Sequence, residues 1–196
     1  MSVTKIKSYA KINLALNVIG KNSSLHKIET LVAFVSLHDE IFIRKITSKK
    51  HKVIFTGKFS KNISKSNTVT KLLKVLEQKK LLKNKKFEIK INKLIPNKAG
   101  LGGGSMNASN ILNYFVKKKI IKVSKKELLI ISRLIGSDVI LGFNSTNCIL
   151  NTKNEIIRFS NYKKFHVLIV KPNFGCSTKD IYSKVKKFKK PEFNKP

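Results

Sequence analysis

Four of the nine glycines fall within five residues, at Gly100, Gly102, Gly103 and Gly104, in the segment IPNKAGLGGGSMNAS. Glycines so placed let the backbone take positive φ, and consecutive N–H groups can then converge on an anion. Where such a run opens a helix, the helix start adds its partial positive charge, and a phosphate is the natural occupant. No Gly-Lys-Ser/Thr follows, so the run is not a Walker loop. Ser105 stands where a dinucleotide fingerprint needs its third glycine. A bare triple glycine reads equally well as a flexible turn. Pro96 before it, and Ser105-Met106-Asn107-Ala108 opening a helix after it, favour the phosphate cradle.

Groups able to take a proton are few. Aspartate occurs only at Asp39, Asp138 and Asp180. Asp138 follows Gly136-Ser137, where an aspartate serves as a helix N-cap as readily as a base. Lys11 sits beside Asn13 on the polar side of an otherwise apolar stretch, which sets it apart from the many solvated lysines. Thr178 follows Ser177 at a helix start, where a capping role and a ligand role both stay open. His26, His38, His51 and His166 form no HxxxH or HExxH pair, and Cys148 and Cys176 lack CxxC spacing. No metal site or disulfide framework is expected, and the cysteines read as buried small hydrophobes.

The elements that must hold these residues follow from periodicity. Residues 9–19 alternate, with Ala10, Ile12, Leu14, Leu16 and Val18 on one side and Lys11, Asn13 and Asn17 on the other, which is a half-buried strand with a polar face. Residues 31–46 read as one or two strands around His38-Asp39, and 51–57 and 87–95 as further strands, the last ending at Pro96. The stretch 66–82 is an amphipathic helix behind a Ser/Asn cap. A helix follows the glycines, with Ala108, Ile111, Leu112 and Phe115 on one face. Ser124-Lys-Lys-Glu127 is a capping box for the next helix, and Gly136 is its stop. Residues 148–151, 155–159 and 165–171 read as short strands, 177–188 as a last helix, and KKPEFNKP as a linker. The mixture predicts an α+β fold.

The chain carries 42 Lys and Arg against 10 acids, a net charge of +32. Such a field draws polyanions, so a nucleic-acid binder or an enzyme of phosphorylated substrates are both open classes. Arginine occurs only at Arg44, Arg133 and Arg158, there is no Trp, and the lysines are spread along the chain. Nucleic-acid readers recruit arginine for its bidentate fork and aromatic rings for stacking, so this pattern argues for compositional drift and against nucleic acid. No apolar run reaches the ~18 residues of a membrane span, and no cleavable leader is evident, so a cytoplasmic protein without a membrane partner is expected.

The glycine segment, as P-x-x-A-G-L-G-G-G-S-x-N-A, resembles the ATP loop of the GHMP kinases. Its triple glycine is similar to the diphosphocytidyl-methylerythritol branch rather than to the mevalonate and homoserine branches. SYAKINLALNVIGK (8–21), LHKIETLVAFVSLHDEI (25–41), SNTVTKLL (66–73) and IGSDVILGF (135–143) match in order, and the resemblance covers roughly residues 8 to 190. It implies an N-terminal lobe like the second domain of ribosomal protein S5 (the S5 domain 2-like fold), a mixed sheet with helices on one side, over residues 1–160. Residues 161–196 would begin a second, ferredoxin-like lobe, of which the chain stops short, so weak or no turnover by this chain alone is expected.

The resemblance further implies transfer of a phosphoryl group from ATP, with Mg²⁺, to a tertiary alcohol of a CDP-linked methylerythritol, in non-mevalonate isoprenoid synthesis. Asp138 would be the base and Lys11 its ionic partner. Pro96, Asn97, Lys98, Ala99, Gly100, Leu101, Gly102, Gly103, Gly104, Ser105 and Met106 would hold the nucleotide. Asn13, His26 and Thr178 would touch the substrate. Three positions depart from the family pattern: Leu25 replaces a stacking tyrosine, Met106 a serine, and Ile140 a proline. Leu25 leaves open another kinase of the family, acting on mevalonate or homoserine, and the +32 charge leaves open an RNA-binding module on the same fold. Whether the chain forms a homodimer stays open too.

Overall fold

A computed structural model describes residues 2–21, 26–153, 155–159, 165–172, 174–175 and 178–193. The alternating N-terminal segments become two long strands, β1 (Thr4–Lys21) and β2 (His26–Ile46), paired antiparallel over almost their whole length. On its other edge β2 splits its partners. Glu40–Ile46 pairs antiparallel with β4 (Lys86–Asn92), and Thr30–Val32 pairs with β5 (Cys148–Leu150), which carries β6 (Ile156–Arg158). β3 (Lys52–Thr56) runs parallel to β4. A parallel pair needs a crossover, and helix α1 (Thr68–Gln78) supplies it. The sheet is therefore mixed and the fold α+β.

Ile41 and Ile43 of β2 stand in register with Ile91 and Ile89 of β4, and all four side chains enter one core. Lys90, between the two isoleucines of β4, is exposed. The apolar stripes of α1, α2 (Gly103–Lys117) and α3 (Lys125–Ile135) close over that face with Leu72, Leu76, Ile111, Leu112, Phe115 and Ile131. Asn67 and Thr70 form a capping box at the start of α1, and Ser124 and Glu127 form the expected one at the start of α3.

Several sequence expectations change. On β1, Leu14 and Leu16 are 53% and 38% exposed, whereas Lys11 is only 6% exposed. The register with β2 shifts between Tyr9 and Lys11, Asn13 and Ala15, and Val18 and Gly20. Each irregularity resets which side chains face inward, so a single alternation cannot describe the strand. Residues 165–171 form no strand: Leu168 and Val170 are exposed, and the segment has no ladder partner among the described residues. Helix α4 (Thr178–Ser183) ends before the expected 188, where Lys184, Lys186, Lys187, Lys189 and Lys190 would place like charges three and four residues apart.

The expected linker is pinned instead. The N–H of Lys189 donates to the Val18 carbonyl at 2.9 Å, and those of Glu192 and Phe193 donate to the buried Glu29 carboxylate at 2.8 and 3.1 Å. Burial alone would push Glu29 up, but donation from Asn17 and these two amides holds it below the usual carboxylate value. No helix among the described residues is long and apolar enough to cross a membrane.

The ring of His51 sits between Phe87 of β4 and Glu77 of α1. Phe87 N–H donates to its Nδ1 at 3.0 Å, so the proton of the neutral ring is on Nε2, 3.2 Å from Glu77 Oε1. Burial lowers its pKa; Glu77 opposes this and Lys86 adds to it. The unfolded chain therefore takes up the proton first, and stability falls as pH drops below about 6.5, the ordinary histidine value. Thermal melts at pH 5 to 8 should show His51→Gln, whose amide oxygen can still accept from Phe87, losing less stability below that value than the wild type. Parallel curves would show that the ring titrates freely.

Candidate active site

The site begins at the irregularity in β1 after Tyr9. There the N–H of Lys11 turns from the ladder and donates to the Leu101 carbonyl at 3.1 Å, which ties the strand to the glycine loop. Left-handed backbone at Lys98, Gly100 and Gly102 (φ 53°, 74° and 67°) folds the loop back on itself. A methyl group at Gly102 would lie 2.9 Å from Lys11 Cγ and 3.0 Å from Cε. Gly102 is thus needed twice, for its φ and for the lysine stem that runs across it.

Gly102 is also the N-cap of α2, and it brings no side chain to satisfy the first turn. Met106 N–H bonds back to the Gly102 carbonyl at 2.8 Å, whereas Gly103, Gly104 and Ser105 supply the open N–H groups of the helix start. Thr68 holds this turn against α1 by donating to the Gly104 carbonyl at 2.7 Å. Four other loop residues are engaged away from that turn. Asn97 donates to the Phe59 carbonyl at 2.6 Å, while Leu101 and Ala99 pack with Ala10 and Ile95. Met106 is fully buried with Val32, Leu141 and Cys148, so its side chain does not face the loop.

From Gly102 the Lys11 side chain reaches Asp138, with Nζ 3.3 Å from Oδ2. It also donates to Asn13 Oδ1 at 2.6 Å. The orientation of that amide is set, because Asn13 Nδ2 donates to Thr30 Oγ1 at 2.7 Å and Thr30 in turn donates to the Ala15 carbonyl at 2.8 Å. Asn13, expected to touch substrate, thus also aims Lys11.

Asp138 precedes a short 3₁₀ helix, Val139–Phe143, yet its side chain makes no capping bond. Its carboxylate is left to Lys11, with Ser137 Oγ 3.5 Å from Oδ1. Gly136 brings this turn to the loop, for a methyl group there would lie 3.9 Å from Ser105 Oγ.

Two residues that were not singled out in the sequence hold Asp138 in place. Gly142 lets the 3₁₀ segment lie on α2, where a methyl group would come within 2.9 Å of Met106 Sδ and Ser109. Arg158, on β6, donates to the Ile140 and Leu141 carbonyls at 3.3 and 3.1 Å. Only a strand partner distant in sequence reveals that use of an arginine. His26 opens β2, and its ring stacks on Tyr182 of α4, 5.2 Å between centroids. Burial raises the Tyr182 phenol, and the negative charge of Asp138 raises it further. Thr178 begins α4. Leu25 and Ser177 lie outside the described residues.

Residues 67–150 match the family described as GHMP kinases N terminal domain. The 4-diphosphocytidyl-2-C-methyl-D-erythritol kinase of Pelagibacter ubique is 61% identical over 196 residues, which is 100% of this chain and 70% of that protein. The chain belongs to the GHMP kinase family. Enzymes of the same name from Finegoldia magna and Petrotoga mobilis are 32% and 34% identical, covering 93% and 92% of this chain and 66% and 68% of their own lengths. A crystal structure of 4-(cytidine 5'-diphospho)-2C-methyl-D-erythritol kinase shares the fold at a TM-score of 0.62 and 23% identity, over 80% of this chain and 55% of that one. A homoserine kinase from Cytophaga hutchinsonii shares it at 0.60 and 15%, over 92% and 59%. The fold is therefore common to GHMP kinases with different acceptors in their names, and the 61% relative is what separates this chain from the others.

In this GHMP lobe the two left-handed glycines differ in surroundings. Gly100 faces open space, whereas Gly102 lies against Lys11. Gly100→Ala should therefore lose only the left-handed penalty, about 1–2 kcal/mol, in urea unfolding. Gly102→Ala should lose measurably more. Equal losses would mean that the Lys11 stem does not seat on the loop.

Proposed function

We propose that this chain supplies the nucleotide-binding, base-bearing lobe for transfer of the γ-phosphoryl group of ATP to the 2-hydroxyl of 4-diphosphocytidyl-2-C-methyl-D-erythritol, a step of non-mevalonate isoprenoid synthesis. The observation that carries this reading is the single line from the uncapped start of α2, across Gly102, along Lys11 to the Asp138 carboxylate 3.3 Å away. It joins an anion cradle to a carboxylate that makes no capping bond.

Asp138, about a third exposed at its side chain, accepts the proton of the attacking hydroxyl. Lys11 favours the ionised form of that carboxylate and offsets the negative charge that gathers as the phosphoryl group moves. Transfer through a loose transition state asks mainly for position and charge, so a modest base is enough. The N–H groups of Gly103, Gly104 and Ser105, with the helix dipole behind them, bind and orient the nucleotide's phosphates. Mg²⁺ belongs in this reading to the nucleotide substrate. The Ser105 hydroxyl and the Asp138 carboxylate are among the side-chain oxygens that this face offers it.

His26 would bond the cytosine, Thr178 would approach the reacting groups, and Asn13 would act through Lys11. The identity to the Pelagibacter ubique enzyme, whole-chain and at 61%, supports this acceptor over mevalonate or homoserine.

Phosphorus NMR of the products formed from ATP with each of the three acceptors tests the assignment. Product is expected only with the CDP-linked alcohol. Asp138→Asn should lower turnover by about 10²–10⁴-fold, the usual contribution of a positioned base, with nucleotide affinity kept within a few-fold. Equal transfer to homoserine, or wild-type turnover by Asp138→Asn, would sink it.

A further inference from the structure

We propose that Asp39 is a positioning residue for the nucleotide: its buried carboxylate clamps both ends of the phosphate loop. This inference rests on the nucleotide reading above. Asp39 is fully buried in β2. Its Oδ1 accepts from the N–H groups of Leu94 and Ile95, each at 2.8 Å, where the chain leaves β4 for the loop. Its Oδ2 accepts from Asn107 Nδ2 at 2.8 Å, in the second turn of α2, where the chain has left the loop, and from the ammonium of Lys93. Entry and exit of residues 96–102 are thus fixed to one carboxylate on a central strand.

The ion pair fits a positioning role better than one in stability alone. Both Lys93 and Asp39 are buried, and a buried pair contributes little that well-packed apolar residues could not. What it adds is location. The Lys93 ammonium lies 3.1 Å from where a methyl group on Gly103 would stand, so it is buried against the first residue of α2. Four directed bonds from the β4 exit and α2 leave the loop little freedom, and a loop ordered before its ligand arrives spends less binding energy on ordering.

The consequence is selective for phosphate. Loosening the clamp should weaken those contacts that the loop makes with the phosphate chain, and leave contacts to the base and ribose unchanged. Asp39→Asn keeps the size of the side chain and an acceptor for Leu94 and Ile95, but removes the charge opposite Lys93. Isothermal titration with ATP and with AMP, both with magnesium, reads the result. The affinity gained from AMP to ATP should shrink at least tenfold in Asp39→Asn, with AMP affinity changed less than twofold.

Asn107→Ala removes a single donor from the same clamp and should show the same selectivity, about threefold; it decides the matter if Asp39→Asn does not fold. ATP and AMP weakening by one common factor, or neither changing, overturns the proposal and leaves the nucleotide reading intact. A wild-type chain that binds ATP no better than AMP overturns both.

Discussion

The backbone of Lys11 serves the site in two directions at once. Its N–H leaves the β-ladder for the Leu101 carbonyl, and its side chain crosses Gly102 to reach Asp138. The first is possible only because the register of β1 shifts after Tyr9, which frees one amide without leaving it unpaired. The second is possible only because Gly102 has no Cβ and turns left-handed. A regular strand, or an alanine in the loop, would each break the link between the anion cradle and the carboxylate. The strand, the helix start and the 3₁₀ turn come from positions near 11, 102 and 138, and this lysine touches all three.

Negative charge is placed sparingly in a chain with 42 cations and 10 acids, and its placement is telling. Asp39 holds the loop ends, Glu29 holds Asn17 and the backbone at 192–193, and Glu127 closes the cap of α3. Glu77 and Glu88 bridge lysine, arginine or histidine between neighbouring elements, and hydrogen bonds from Lys86 and Arg44, respectively, lead the causes that hold each below the ordinary carboxylate value. Isolated lysines at exposed positions contribute little to stability. A carboxylate that anchors two elements is not isolated in that way. The strong basic balance and an ordinary enzyme fold are therefore compatible, and the acids carry more structural information than the lysines.

What could be read from the sequence follows the range of the interactions. The glycine loop, the α1 cap, the α3 capping box and the α+β class rest on contacts within a few residues, and their signals are local. Lys11 and Asp138 were reached through resemblance, since a lone lysine and an aspartate after Gly-Ser have bland uses as well. Asp39 and Arg158 were passed over because their partners lie 54 to 68 residues and 17 to 18 residues away. The polarity of β1 was misread because bulges are set by the neighbouring strand and loop and leave no trace in a hydrophobic pattern. The apolar run at 165–171 shows the converse: alternation signals a strand only where a ladder is available to pair with it.

The way the helix starts are finished separates structural ends from those left for chemistry. Asn67 and Ser124 each satisfy the first turn of their helix with a side-chain oxygen, in capping boxes of the usual kind. The two starts that face Lys11 are treated differently. α2 opens with a left-handed glycine that can cap nothing, and the 3₁₀ helix opens with an aspartate that could cap but turns its carboxylate to the lysine. Leaving helix starts unsatisfied sacrifices on the order of 1 kcal/mol each. A chain that caps α1 and α3 with side-chain oxygens and leaves these two starts uncapped has exchanged local stability for open donors and a carboxylate turned to the ammonium. Local rules broken together, at one place, are what a site for an anionic substrate requires.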